Sequence, residues 1–187
     1  MMEYHDREWG VPVHDDNRLF EMLCLGGAQA GLSWSTILKR RAGYRSAFDR
    51  FVIIKVSKYN ETKVTRLMSD EKIIRNQAKI RSAINNAKSS LRAKQEFGSF
   101  DRYVWSFVDH KPVIHRYRVL SQLPSTSDLS DKMSLDLKKR GFTFVGSTIC
   151  YAFMQAAGMV NDHITGCYRL KEIEGSTLHP RVFSRND

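Results

Sequence analysis

Residues 141–146 read Gly-Phe-Thr-Phe-Val-Gly and lie between two stretches of helical periodicity, 131–140 and 147–157. A helix that must reverse within six residues and re-enter a helix leaves few folds open. Glycine permits the backbone angles such a reversal needs. Phe142, Phe144 and Val145 can pin it to a core, and Ser147 is the expected cap of the second helix. The amides at the start of that helix would then face solvent, an arrangement that suits a phosphate oxygen. Lys138, Lys139 and Arg140 stand beside it. Two readings follow: a grip on a nucleic-acid backbone, or an ordinary helix hairpin with a solvated basic face, which the local sequence slightly favours.

The rest of the chain is patterned for helices. Residues 77–94 carry the clearest stripe, Ile80, Ala83, Ile84, Ala87 and Leu91. A helix is expected from about Asn17, interrupted at Gly26-Gly27 and Gly31. Ser33 is expected to cap a helix carrying Trp34, and Ser99 one carrying Phe100, Tyr103 and Val104. Residues 61–68 read as a weak helix. Residues 1–15 read as loop. Residues 51–56, the one β-branched run, read as a buried connector, and 111–130 as the longest irregular stretch. The expected fold class is all-α, with eight to ten short helices. Residues 171–187 read as a polar tail with little periodicity.

The chain has 187 residues, 42% of them hydrophobic, enough for a sizeable core. Its 30 Lys and Arg against 20 Asp and Glu give a formal charge of +10, which favours a polyanionic partner. Three widely spaced cysteines argue against a disulfide framework and for a reducing, intracellular setting; Cys24 and Cys150 read as core thiols. No apolar run approaches membrane-spanning length and no signal peptide is visible. Functional-looking residues begin at once after Met1, so a truncated N-terminus is expected.

Three constellations can carry chemistry. His163 and Cys167, at i and i+4, are half of a zinc site that His5 would extend if the termini meet; alone, a surface histidine and a half-buried cysteine is the plainer reading. Residues 26–34, Gly-Gly-Ala-Gln-Ala-Gly-Leu-Ser-Trp, combine small residues with Gln29 and the Trp34 face. That suits a slot for a flipped base as well as it suits a close helix contact. Residues 4–10 place Asp6 and Glu8 within reach of His5, a conceivable dyad but more often caps or ion-pair partners.

Together these stretches resemble one family, the type I 3-methyladenine DNA glycosylases, a divergent branch of the helix-hairpin-helix glycosylases. The motifs are Tyr-His-Asp-Arg-Glu-Trp-Gly-Val-Pro (4–12), Gly-Ala-Gln-Ala-Gly-Leu-Ser-Trp (27–34), Trp-Ser-Phe-Val (105–108), Lys-Lys-Arg-Gly-Phe-Thr-Phe-Val-Gly (138–146), Tyr-Ala-Phe-Met-Gln-Ala-Ala-Gly (151–158) and Asn-Asp-His (161–163) with Cys167. The resemblance implies one glycosylase domain over residues 1–170, with two helical lobes around a base-accepting cleft and a zinc site joining the termini. It implies base flipping and hydrolysis of the N-glycosidic bond of 3-methyladenine in double-stranded DNA with alkylated bases, by a monomer that spans no membrane. The expected place is the cytoplasm in a bacterium, and a nucleus or DNA-containing organelle in a eukaryote.

By the same resemblance Trp34 is the stacking tryptophan, Tyr4 and Trp9 are pocket aromatics, and Leu32 fills the gap left by the flipped nucleotide. Gln29, which offers both a donor and an acceptor, is read from its own chemistry as a substrate contact. Lys138, Lys139, Gly141, Gly146 and Ser147 grip the DNA backbone. His5, His163 and Cys167 are three of four ligands of a structural zinc, whose fourth ligand, an upstream cysteine in the family, is missing from this chain. The family carries a glutamate in the pocket where Gly26 stands here, and reduced or altered activity is the expectation. The alternative is a non-catalytic, sequence-independent DNA-binding protein that keeps the hairpin.

Overall fold

The helical stripes become ten α-helices among the described residues, 1–178, of the computed structural model. They are α1 (Met2–Arg7), α2 (Asp16–Gln29), α3 (Trp34–Ala47), α4 (Ile53–Val56), α5 (Glu61–Met68), α6 (Gln77–Phe97), α7 (Phe100–Trp105), α8 (Asp128–Lys139), α9 (Ser147–Ala156) and α10 (Tyr168–Leu178). Short polar side chains set most of the starts. Asp15, Ser33, Asn60, Asn76, Ser99 and Ser127 each accept a hydrogen bond from a first-turn amide of the helix they precede. The only strands among the described residues are β1 (Val113–Ile114) and β2 (Val160–Asn161), which pair in parallel.

The central element is α2, which packs against α3, α6, α7 and α9. Leu19, Phe20, Leu23 and Leu25 are buried on it, in one core with Phe48, Phe51, Trp105, Leu137, Phe153 and Met154. Each such side chain stabilises the fold by about 1.5–3 kcal/mol. That exceeds the roughly 1 kcal/mol each helical glycine costs, so α2 runs unbroken through Gly26 and Gly27, which do not interrupt it as expected.

Other boundaries also move. Residues 1–15 are not all loop: α1 is a helix that buries no residue, so no apolar stripe announces it. The connector at 51–56 is buried at Ile53 and Val56, but it is helical, and Ile53 N–H is received by Asn17 Oδ1 at 3.0 Å, a cap supplied by a distant element. Ser127 and Ser130 cap each other's backbone amides, which starts α8 within the stretch expected to be irregular. The supposed tail is helix through Leu178; residues 179–187 lie outside the described residues.

The 141–146 reversal is fastened from α6. Asn86 accepts Thr143 N–H at 2.9 Å and donates to Thr143 O at 2.9 Å, and Asn85 donates to Gly141 O; from α8, Ser134 donates to Val145 O. Of the two glycines only Gly141 uses a positive φ, +85°; the second left-handed residue is Phe144, and Gly146 sits at −62°. Gly146 rather than Ser147 is the cap residue of α9. The Ser147 hydroxyl is bound to Ser130 at 2.8 Å instead, so no side chain caps the first amides of α9.

Gly158 marks a second close approach. Its φ is +70°, and a Cβ there would fall 2.4 Å from the backbone of Val11 and Pro12. Gly158→Ala is expected to lower stability by roughly 1–3 kcal/mol, read as a lower denaturant midpoint at unchanged slope. An unchanged midpoint would contradict this packing.

Candidate active site

The C-terminal half of α2 is held by a lysine. Lys79 Nζ donates to Ala28 O at 2.8 Å and to Ala30 O at 2.6 Å, satisfying carbonyls that the helix end leaves open. Burial holds the Lys79 amine below its ordinary pKa. Gly31, at φ +75°, then turns the chain into α3.

Beside this helix end lies a cavity of about 200 Å3. Tyr4, Trp9 and Trp34 line it from the N-terminal segment and α3, and Met22, Gly26 and Gln29 from α2. Ala152, Phe153, Gln155 and Ala156 close it from α9. The Tyr4 and Trp34 rings are 5.5 Å apart and tilted by 57°. The Trp34 indole N–H is buried next to the Tyr4 hydroxyl and, among the described residues, makes no hydrogen bond of good geometry. Burial, then the Glu8 carboxylate, pushes the Tyr4 phenol up to about 12, so it stays a neutral donor. No ionised side chain lines the cavity. Its aromatic walls and few amides suit a flat heterocycle.

Five of the sequence-derived site residues, Tyr4, Trp9, Gly26, Gln29 and Trp34, thus meet at one cavity. Leu32 does not join them: it is 38% exposed, on the turn between α2 and α3. The wall from α9 was not anticipated. Residues 152, 155 and 156 share one helical face, and the glutamine in the apolar run 152–157 was the available signal.

Behind Tyr4, ion pairs tie α2 to α3 and to the N-terminal segment. Glu21 is 3% exposed and receives Arg41 at 2.8 Å, Arg45 at 2.7 Å and Arg18 at 2.9 Å. Arg41 and Arg18 also reach Glu8. Glu8 is therefore an ion-pair partner, as the plainer reading of 4–10 had it.

His5, His163 and Cys167 do come together: their ligand atoms lie within 4.8 Å of one another. Cys167 Sγ is 3.6 Å from His5 Nε2. His163 is buried rather than a surface residue. Asn161 Oδ1 already accepts the His163 backbone N–H, so it is the acceptor for His163 Nδ1–H as well, at 2.8 Å. That leaves the lone pair on Nε2, which is buried and has no partner. Burial, then the nearby His5, pushes His163 down to about 4. His5 Nδ1 likewise faces Asp6, at 2.8 Å. Trp9 joins this corner to the cavity; it lines the cavity and meets the His163 ring edge-on at 4.5 Å.

On the reversal, Lys138, Lys139 and Gly141 are exposed, and Gly146 and Ser147 partly so. Arg140 is turned inward, paired with Glu96 and Asp136 and lying over Phe97 and Tyr103. All three cysteines are free. Cys150 is buried, Cys24 is half-buried against the core, and burial raises both thiols, Cys150 to about 12.

A helical fold with an aromatic, uncharged cavity and a basic, uncapped reversal defines a class of base-binding helical proteins, and comparison narrows it. The profile of the methyladenine glycosylase family matches residues 1–170, and the chain belongs to that family. It is 52% identical over 164 residues to the DNA-3-methyladenine glycosylase 1 of Escherichia coli K12, covering 88% of each chain. A crystal structure of a 3-methyladenine DNA glycosylase I superposes with a TM-score of 0.87 at 51% identity, over 89% of this chain and 92% of that one. The Staphylococcus aureus enzyme, solved for the structural basis of 3-methyladenine recognition, also gives 0.87 at 36% identity, over 89% of each chain.

The Glu21 cluster sets a pH dependence. Burial pulls its carboxyl up, but hydrogen bonds from Arg45 and Arg41 outweigh that, and its pKa lies below the ordinary 4.5. A depressed carboxylate contributes stability that is complete above its unfolded pKa and lost as pH falls through the folded one. Glu21→Gln is expected to cost roughly 3 kcal/mol at pH 7, and the gap to the parent should shrink as pH falls below about 4.5. Urea midpoints across that range test this; a constant gap would refute it.

Proposed function

We propose that this chain is a DNA-3-methyladenine glycosylase of base-excision repair, which extrudes the alkylated nucleotide and hydrolyses its N-glycosidic bond. Residues 1–170 act as one domain, with helices on either side of the cavity. The observation that carries the reading is a cavity walled by Tyr4, Trp9, Trp34 and Phe153, with two glutamines and no ionised group. A base alkylated at N3 is already cationic on the sugar and leaves neutral. The site therefore needs no strong general acid; it needs extrusion, stacking and hydrogen bonds to the base edge.

In this reading Trp34 stacks on the base, Tyr4 donates to it, and Gln29 reads its edge. Leu32, exposed on its turn, enters the duplex. Lys138, Lys139 and the free amides at Gly146 and Ser147 hold the phosphates, and nothing blocks a backbone approach at Gly146, where a Cβ would meet no atom within 4 Å. Gly26 leaves the cavity without a carboxylate. A Cβ there would touch Ile149 at an ordinary 3.5 Å, so a longer side chain can enter.

Release of base from a duplex containing 3-methyladenine is the test. Trp34→Ala should lower kcat/KM by about 10–100-fold, the worth of one stacking contact. Gly26→Glu should raise it by about 10–100-fold, chiefly through KM, as a hydrogen bond to a charged group is gained. Salt-dependent DNA binding with no release from either the parent or Gly26→Glu would instead establish the non-catalytic DNA-binding reading.

The donor set at the termini fits a zinc ion. Two imidazole Nε2 atoms and the Cys167 sulfur converge, and each imidazole is oriented by an acceptor at Nδ1. Held by His5, His163 and Cys167, zinc would cross-link α1 to the loop before α10, as a structural and not a catalytic ion. Elemental analysis of protein made without chelators should find about one zinc per chain, and His163→Ala should lose it with a lower melting temperature. Metal-free parent protein would reject the assignment.

A further inference from the structure

The helix α9 brings more to the cavity than an apolar wall. Gln155 lines it, and its carboxamide is held from behind. Gln155 Nε2 donates to Asp162 Oδ2 at 2.7 Å; the same oxygen accepts the Tyr151 hydroxyl at 2.7 Å, and Asp162 Oδ1 faces His115 Nδ1 at 2.6 Å. Asp162 is 1% exposed. Asp162 Oδ2 is the acceptor for both the Tyr151 hydroxyl and the amide, so the N–H end of Gln155 is the one that faces it. Turning the amide over would set Gln155 Oε1 against Asp162 Oδ2, two acceptors in contact where water cannot screen them. The backbone cannot shift to compensate, because Gln155 O already accepts Gly10 N–H at 3.1 Å and Gly158 N–H at 3.2 Å. Among the described residues the amide oxygen has no partner, and one of the two Nε2 hydrogens is committed to Asp162. Gln29, which also lines the cavity, has no such anchor among the described residues, so its amide can turn.

We propose that Asp162 is a positioning residue that locks Gln155 as a one-way hydrogen-bond acceptor in the cavity. The lock selects adenine-type bases, which offer an amino group at C6, over guanine-type bases, which offer a carbonyl there. A glutamine free to turn would serve either edge; one held by a buried carboxylate repels the carbonyl, so selectivity comes from rejection as well as attraction. The inference rests on the cavity being the base site, and deepens that reading by naming what sets the base preference.

The test compares release of 3-methyladenine and 3-methylguanine from otherwise identical duplexes. It is paired with equilibrium binding of the two free bases, read from tryptophan fluorescence. The parent should favour the adenine-type base in both. Gln155→Met should cut that preference by about 10–100-fold, and Asp162→Asn, which lets the amide turn, by about tenfold. Affinity for undamaged DNA should hold for Gln155→Met, and its melting temperature should fall only by the worth of one buried hydrogen bond. A preference that survives Gln155→Met overturns the proposal, as does an Asp162→Asn variant that loses both bases in parallel, the mark of a merely structural role. Should Asp162→Asn not fold, the side-chain amide protons of Gln155 in the parent decide. Slow exchange by NMR supports the lock, and exchange as fast as that of Gln29 overturns it. A parent that takes neither base removes the reading of the cavity and the proposal with it, whereas a selective parent with an equally selective Gln155→Met removes the proposal alone.

Discussion

The approach of the 141–146 reversal to the C-terminal half of α2 is the constraint on which the site depends. A Cβ on Gly27 would stand 3.2 Å from Phe144 Cβ and 3.5 Å from Phe144 O. Only glycine lets the two backbones come this close without displacement. Phe144 in turn adopts φ +53°, an unfavourable angle for a bulky residue, at the point of contact. The neighbouring Gly26 then faces the cavity, and α9, which begins where the reversal ends, supplies the opposite wall. One close packing therefore sets both the depth of the cavity and its distance from the basic hairpin. In the proposed function this links the DNA-holding element to the base-holding one without any hinge between them.

Polar anchoring keeps that arrangement rigid where apolar packing cannot. The reversal is stitched to α6 through Asn86 and Thr143, the end of α2 through Lys79, and α2 to α3 through Glu21 and its three arginines. These contacts are buried or half-buried, and each satisfies backbone groups or charges that would otherwise be desolvated without a partner. They also explain why a +10 chain need not bind polyanions with every cation. Arg18, Arg41, Arg45 and Arg140 are committed internally, while Lys138 and Lys139 stay exposed at the reversal.

What could be read in the residue order followed from how local each cause was. Ser33 and Ser99 cap where short polar residues before apolar stripes said they would, and the α6 stripe holds to the core except at half-buried Leu91. The aromatic slot was legible because Gln29, Trp34, Tyr4 and Trp9 lie in family motifs, although no rule of periodicity brings Tyr4 next to Trp34. What stayed hidden was set by contacts distant in the chain. The helical course of α2 through two glycines depends on the core that its side chains join, the start of α4 on Asn17, and the bare N-terminus of α9 on Ser130 occupying the Ser147 hydroxyl. Helix α1 buries nothing, so hydropathy had no trace of it to show. Asp162 read as one letter of Asn-Asp-His beside a metal-type histidine. Its role emerges only when Tyr151, Gln155 and His115 converge on it.

Gly26 invites the conclusion that a missing carboxylate disables the chemistry, but the charge balance of the proposed reaction points elsewhere. The cationic base becomes neutral as the bond to the sugar breaks, and the positive charge passes to the sugar, outside the cavity. A carboxylate against the base holds the charged ground state more strongly than the departing neutral base, so much of its effect is on binding rather than on bond cleavage. An uncharged cavity of Tyr4, Trp9, Trp34 and Phe153 stacks on the base in either form and adds only the attraction of its aromatic faces for the cation. Loss of the carboxylate at Gly26 therefore weakens the recognition of charge first. The burden of telling one base from another then falls on fixed neutral groups, and among the residues lining the cavity the side chain most firmly fixed by hydrogen bonds is Gln155.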